Sequence, residues 1–237
     1  MPEALGKIEK PEARSFGGNR KLIYVPLVLA APDSDPELSA LVDLFWQEAS
    51  VQVESLAAGL GKVDALFHEL IDHEESMLEV LGSLHSDSLP LVKKMMERGT
   101  AARIIEEPET LNEFMDWSRC LAMGLQSASV FDTVYQNYVK SQQKRTELMA
   151  ARIDQGLKEN ETGLLMLREG HHVQYAADIQ VFYVAPPSLD AIHRHLRERY
   201  ENRSQQEQQT DAGCAGESEQ PVAEGGHEEP AGADQAA

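Results

Sequence analysis

What this chain lacks narrows it before anything it contains does. It has two cysteines in 237 residues. Cys120 falls inside a helical pattern and Cys214 near the C-terminal end, at no spacing that a metal knuckle or disulfide framework uses, so a reducing, cytoplasmic setting is expected. The longest apolar run, Leu22 to Ala31, is about half of what a membrane-spanning helix needs, so no membrane association is expected. The charges in Met1–Lys7 sit where a secretory signal would need its apolar core. Bases are outnumbered, 21 Lys and Arg against 40 Asp and Glu, for a net charge of −19. With no basic stripe interleaved with aromatics, such a chain repels a phosphate backbone, and nucleic acid is not an expected partner. A phosphate-cradling glycine loop and a Gly-x-Ser-x-Gly elbow are also missing, which removes support for nucleotide hydrolysis and lipase-type chemistry.

The charge that is present is unevenly placed. Eight acids and no base follow Arg203, leaving 32 acids against 21 bases before it. Residues 204–237 are rich in Gln, Glu, Gly and Ala with little to bury, which predicts a disordered acidic tail. Residues 1–20 are polar, include Gly17-Gly18, and read as a flexible leader. Between them, residues 21–203 read as one α/β domain.

Within that domain the hydrophobic pattern changes period several times. Leu22 to Ala30 is a continuous apolar run, the mark of a strand covered on both faces. Pro26 cannot donate to a ladder, so either the strand is Lys21–Val25 or Pro26 lies at an edge. Asp35-Pro36 is a helix start, and Leu38, Leu41, Val42, Phe45, Ala49, Val53 and Leu56 recur at helical spacing until Gly59 and Gly61. A strand at Val63–Leu70 completes a β–α–β unit whose crossover rule makes the strands parallel. Asp72 and Glu75 fit a capping box opening a helical insert over about residues 72–160. In it, Leu89–Arg98, a segment near Leu111–Leu125 and a long helix over Val130–Lys158 follow one another, with Met95, Met96, Trp117, Leu121 and Leu125 expected in the core. Gly163–Arg168 and Ile179–Val184 return to the sheet, and a last helix runs from Leu189 to about Tyr200. The predicted fold is therefore a small, mostly parallel sheet with a large helical insertion.

Polar groups gather where two apolar runs end. His68 and Glu69 close the second strand, and His171 and His172 follow Gly170 after the third. In open α/β folds the carboxyl ends of parallel strands are where ligands bind. Two imidazoles and a carboxylate from separate strand ends would make a three-ligand divalent-metal site drawn from His68, Glu69, His171 and His172, with a position open for water. Without metal, one histidine would serve as general base with Glu69 orienting it. A regular strand sends His68 and Glu69 to opposite faces, so the two cannot serve one site equally. His68 and His73 are five residues apart, which fails the His-Glu-x-x-His zinc-protease spacing by one. The bland alternative is a carboxylate that caps a neighbouring helix and a solvated His-His turn.

These motifs resemble those of the TraB/ChaN/Tiki/erythromycin-esterase-like superfamily. The resemblance spans about residues 21–173 and rests on Ala65-Leu-Phe-His68-Glu69-Leu70, on the Arg-bearing helix Lys144–Ile153 and on the strand into Gly-His at Leu164–His171. It implies an α/β fold with a helical insert, a hydrolase that some relatives run with a metal, and Glu69, Arg145 and His171 as the catalytic positions. Arg145 would stabilise developing oxyanion charge. The chain departs from the pattern at its first strand, where Tyr24-Val-Pro26-Leu-Val-Leu holds no histidine. The alternative expectation is a non-enzymatic module that engages a protein partner through the long helix or the acidic tail.

Overall fold

A strand that is apolar at every position needs cover on both faces, and a parallel sheet with helices on each side supplies it. In the computed structural model of the chain, which describes residues 20–30, 34–74 and 76–214, the run forms β1 (Arg20–Pro26) in the interior of a five-stranded sheet. The other strands are β2 (Val63–His68), β3 (Ala101–Ala102), β4 (Thr162–Leu167) and β5 (Ile179–Tyr183), in the order β3-β2-β4-β1-β5. All pair in parallel, with Lys21 opposite Thr162 and Pro26 opposite Leu167 along the β1–β4 ladder. Pro26 closes β1 without loss. The next amide, Leu27 N–H, donates to Leu167 on the β4 side, so Pro26 turns toward β5, whose pairing stops at Tyr24 opposite Tyr183.

Alternation inside the apolar runs divides the interior into two layers. Ile23, Val25, Leu66, Leu164 and Met166 face α1 (Pro36–Leu60), α2 (Met77–Leu84) and α3 (Leu89–Glu97), meeting Val42, Phe45, Trp46 and Met95. Leu22, Tyr24, Ala65, Phe67, Leu165 and Leu167 face the end of α5 (Ala128–Gly156), meeting Met149 and Ile153. Each fully buried aliphatic of this kind contributes about 1.5–3 kcal/mol of transfer free energy. α1 starts as its sequence dictates, with the Asp35 carboxylate accepting the Leu38 amide at 2.8 Å and Pro36 in the first turn.

Four expectations need correcting. Asp72 does not open a helix. Its carboxylate meets His73 Nδ1 at 2.9 Å, and α2 begins only at Met77 because the chain leaves β2 through Leu70 at φ +66°. The helical insert contains β3, which lies beside β2; at two residues it is too short to carry any period. α4 (Pro108–Ala122) leaves Trp117 and Leu121 half-buried, since it packs on α5 and not on the sheet, and Leu125, in the loop that follows, is half-buried too. The last helix, α6, spans Pro187–Cys214 and so enters the stretch expected to be disordered from 204. Gln and Glu are good helix formers, so low hydrophobicity alone did not end it.

The remainder of the acidic tail and nearly all of the leader lie outside the described residues. The chain divides into two units, Met1–Ile192 and His193–Ala237, and the sheet with α1–α5 belongs wholly to the first. Among the described residues no helix is long and apolar enough to cross a membrane.

Candidate functional site

The pleat of β2 decides what its C-terminal end can offer. Phe67 points toward α5 and Leu66 toward α1 and α3. His68 therefore turns to the α1 side and Glu69 to the α5 side, even though both are adjacent in sequence. The ladder continues one step past the strand, with Glu69 N–H donating to the Met166 carbonyl at 2.9 Å.

Glu69 is almost fully buried and is held by two arginines. Its Oε1 accepts from Arg145 Nη2 at 2.9 Å and from Arg168 Nε at 2.6 Å, and its Oε2 accepts the Arg168 amide at 2.8 Å. Arg145, inside α5, also bonds Glu106, through Nε at 3.0 Å and through Nη2. Glu106 receives the Leu70 amide at 3.2 Å, and its carbonyl accepts from Arg152. Phe114 of α4 floors the cluster, with the Arg145 and Arg168 guanidinium carbons 4.8 and 5.5 Å from its ring centre. Two acids and two guanidiniums thus meet at the ends of β2 and β4, with Arg145 7% exposed and the Arg168 side chain 47% exposed.

The electrostatics follow from that census. Burial alone pushes Glu69 up, but the hydrogen bond and charge of Arg168, with the charge of Arg145, hold its carboxyl below the ordinary range. Burial likewise opposes the charge on Arg145, and Glu106 and Glu69 together hold it above its usual value. Glu69 is consequently an anion whose oxygens are already committed. It anchors guanidiniums and is no base.

His171 reaches the same rim through the turn after β4, where Gly170 takes φ +71°. Its ring packs edge-on against Tyr24 at 5.0 Å, and the Tyr24 hydroxyl donates to the Arg168 carbonyl at 3.2 Å. Val173 N–H donates to Nδ1 at 3.3 Å, which places the ring proton on Nε2, 3.3 Å from the Tyr175 hydroxyl. Burial pushes His171 below its usual value against the pull of Glu69, so the ring is neutral at pH 7. His172, one residue on, is exposed and lines a groove of about 590 Å³ with Val139, Gln142, Thr146 and Ala150 of α5.

Of the expected catalytic positions, Glu69 and Arg145 are in direct contact, and His171 follows three residues after the Arg168 amide that Glu69 binds. The metal quartet is not assembled. No three of His68, Glu69, His171 and His172, all described residues, bring ligand atoms within 4.8 Å of one another. The pleat separates His68 from Glu69, and a carboxylate engaged by two guanidiniums is a poor cation ligand. Two participants went unread in the sequence. Arg168 follows the last residue of β4, directly before Glu-Gly-His, a position that marked it. Glu106 follows the apolar pair Ile104-Ile105, too short a run to single out.

His68 has a different surrounding. It is 1% exposed, its Nδ1–H donates to the Glu69 carbonyl at 2.5 Å, and its ring lies 5.7 Å from that of His85. Burial pushes His68 down to about 4, against the backbone bond that favours its charged form. His85 forms the C-cap of α2 and is also buried.

No protein-family model matches this chain, and neither a curated protein nor a solved structure registers as similar to it.

Proposed function

We propose that the chain is a hydrolase of the TraB-like kind, with its site on the rim where β2, β4 and α5 meet, acting on an ester whose reaction develops negative charge. What carries this reading is the Glu69 carboxylate, which holds Arg145 and half-exposed Arg168 in one corner at the carboxyl ends of parallel strands, beside the His171–His172 turn. Arg145 is too buried to reach a substrate, so the anionic oxygen falls to Arg168, with Glu69 and Arg145 as positioning residues. Both nitrogens of His171 are engaged, so it fixes the turn, and the groove-lining imidazole of His172 takes the proton from water. No step is routed through a metal, because the expected ligand set does not come together.

The test is a panel of activated carboxyl esters and phosphoesters, assayed with wild type, His171→Ala, His172→Ala and Arg168→Met. Activity that falls ~100-fold or more in His172→Ala and Arg168→Met supports the reading, in line with the usual size of acid–base and oxyanion effects. Equal rates in all four proteins sink it, leaving the network as structural glue.

A second reading rests on a separate observation. The first half of α5 exposes Val130, Phe131, Tyr135 and Val139, with Phe131 and Tyr135 stacked at 6.0 Å. On this reading the chain is an interaction module that engages a protein partner through α5 and the acidic tail. A partner lost on Phe131→Ser or on removal of residues 206–237 supports it, and one indifferent to both changes counts against it.

A further inference from the structure

The imidazole pair on the α1 side of the sheet is unused by the hydrolase reading. His68 and His85 are both buried, and three of their four ring nitrogens, His68 Nε2 and both of His85, have no hydrogen-bond partner. Such orphans are rare inside proteins, since each costs its full desolvation. The one satisfied nitrogen is informative. Because a carbonyl only accepts, His68 Nδ1 carries the proton it gives to Glu69, and the bare lone pair is on Nε2. A histidine whose far nitrogen donates to a backbone carbonyl, leaving the other lone pair free and aimed, is the arrangement that orients metal-ligating imidazoles.

The spacing agrees. Two imidazoles bound to one ion at about 2.0–2.1 Å put their ring centres about 5–6.5 Å apart, from tetrahedral to linear. The pair stands at 5.7 Å with the rings inclined by 47°. His85 also lines a cavity of about 390 Å³ with Asp43, Ser83, Ser86 and Asp87. Asp43, Ser86 and Asp87 also border a second hollow of about 550 Å³ between α1 and α3, which Lys94 lines as well, and the two shared carboxylates give the first cavity its negative lining. The Asp87 charge already acts on His85.

We infer that His68 and His85 bind one divalent transition-metal ion of the zinc class as its two protein ligands, with water from the Asp43–Asp87 cavity in the remaining positions, since among the described residues no third His, Cys, Asp or Glu joins the pair within 4.8 Å. Imidazole donors with carboxylates and hydroxyls nearby suit such ions over calcium or magnesium. The site lies on the opposite face of the sheet from Glu69 and stands or falls independently of the hydrolysis assay.

The experiment uses the full chain stripped with chelator and titrated with Zn²⁺, followed by calorimetry and by imidazole ¹⁵N NMR. The expected result is one equivalent whose binding moves the His68 Nε2 and His85 resonances, weakened ~10-fold or more in His68→Gln and in His85→Gln. Co²⁺ in place of Zn²⁺ should give the visible bands of a low-coordinate nitrogen and oxygen site. Because the His85 side chain makes no bond in the fold, His85→Gln should keep wild-type circular dichroism and so report on the metal alone. Unmoved His68 and His85 resonances at saturating Zn²⁺ would overturn the inference. So would equal affinity in His85→Gln, or a high-resolution map with only water between the rings.

Discussion

Glu69 is the residue on which most of the rim turns. Its side chain is 1% exposed and faces Arg145 and Arg168, so its loss leaves Arg145 buried with one fewer counter-charge. Breaking a buried pair from one side costs about 3–5 kcal/mol, whereas an exposed pair costs under about 1. Glu69→Gln should therefore lower stability by ~3 kcal/mol in urea denaturation, while Glu113→Gln, which breaks the exposed pair with Lys144, should change it little. His68 makes a complementary prediction about pH. Its value in the fold, about 4, lies below the ordinary 6.5, so the unfolded chain binds the extra proton between those values and stability falls as pH drops through that window. The loss is on the order of 3 kcal/mol at most. Glu69, also depressed, adds its own loss as pH falls below the ordinary carboxylate range toward its folded value. In metal-free protein, His68→Gln should make the stability profile shallower between pH 6.5 and pH 5, with His85 and His171, also depressed by burial, keeping part of the slope, and leave the steeper acid limb in place.

At the scale of elements, the apolar strands and the start of α1 carried readable signals, whereas the start of α2 and the close approaches did not. Asp35-Pro36 announced α1, and the alternation hidden inside Leu22–Val25 and Ala65–His68 correctly separated His68 from Glu69. Nothing in the sequence announced that Phe67 would lie against Gly156 at the end of α5 and Gly163 at the start of β4. A Cβ at Gly163 would meet Leu22, Leu157 and Phe67 side-chain carbons at 3.0–3.1 Å. Gly163→Val should destabilise the chain by ~1–3 kcal/mol through overpacking, read as a fall in Tm with the denaturant slope unchanged. The same limit explains β3 and Glu106. Two-residue elements have no period, and their place beside β2 is set by tertiary contacts such as Arg103 N–H to the Leu66 carbonyl at 2.8 Å. Trp117 was misread as core because helical spacing marks an apolar face without saying whether a sheet or only another helix will cover it.

For the whole molecule, the pattern of apolar runs was a dependable guide to fold class and a poor one to chemistry. The parallel α/β architecture followed from alternating runs, and the two rims came from polar groups at strand ends. Which of those groups would meet depended on helix α5, whose Arg145 sits 76 residues from Glu69 in sequence and 2.9 Å away in the fold. The net charge of −19 makes its own statement. A duplex DNA probe at low salt, where electrostatic binding is strongest, should migrate unretarded at micromolar protein.

The chemical reading reduces to whether the half-exposed guanidinium of Arg168 receives an anion beside the His171–His172 turn. Inorganic phosphate, titrated into full-length protein and followed at the Arg168 Nε–H and the His172 ring by NMR, asks this without assuming a reaction. The expected result is a saturable shift at both groups in wild type that Arg168→Met abolishes. Resonances that stay in place up to high phosphate, in a protein whose other signals show an intact fold, would contradict it.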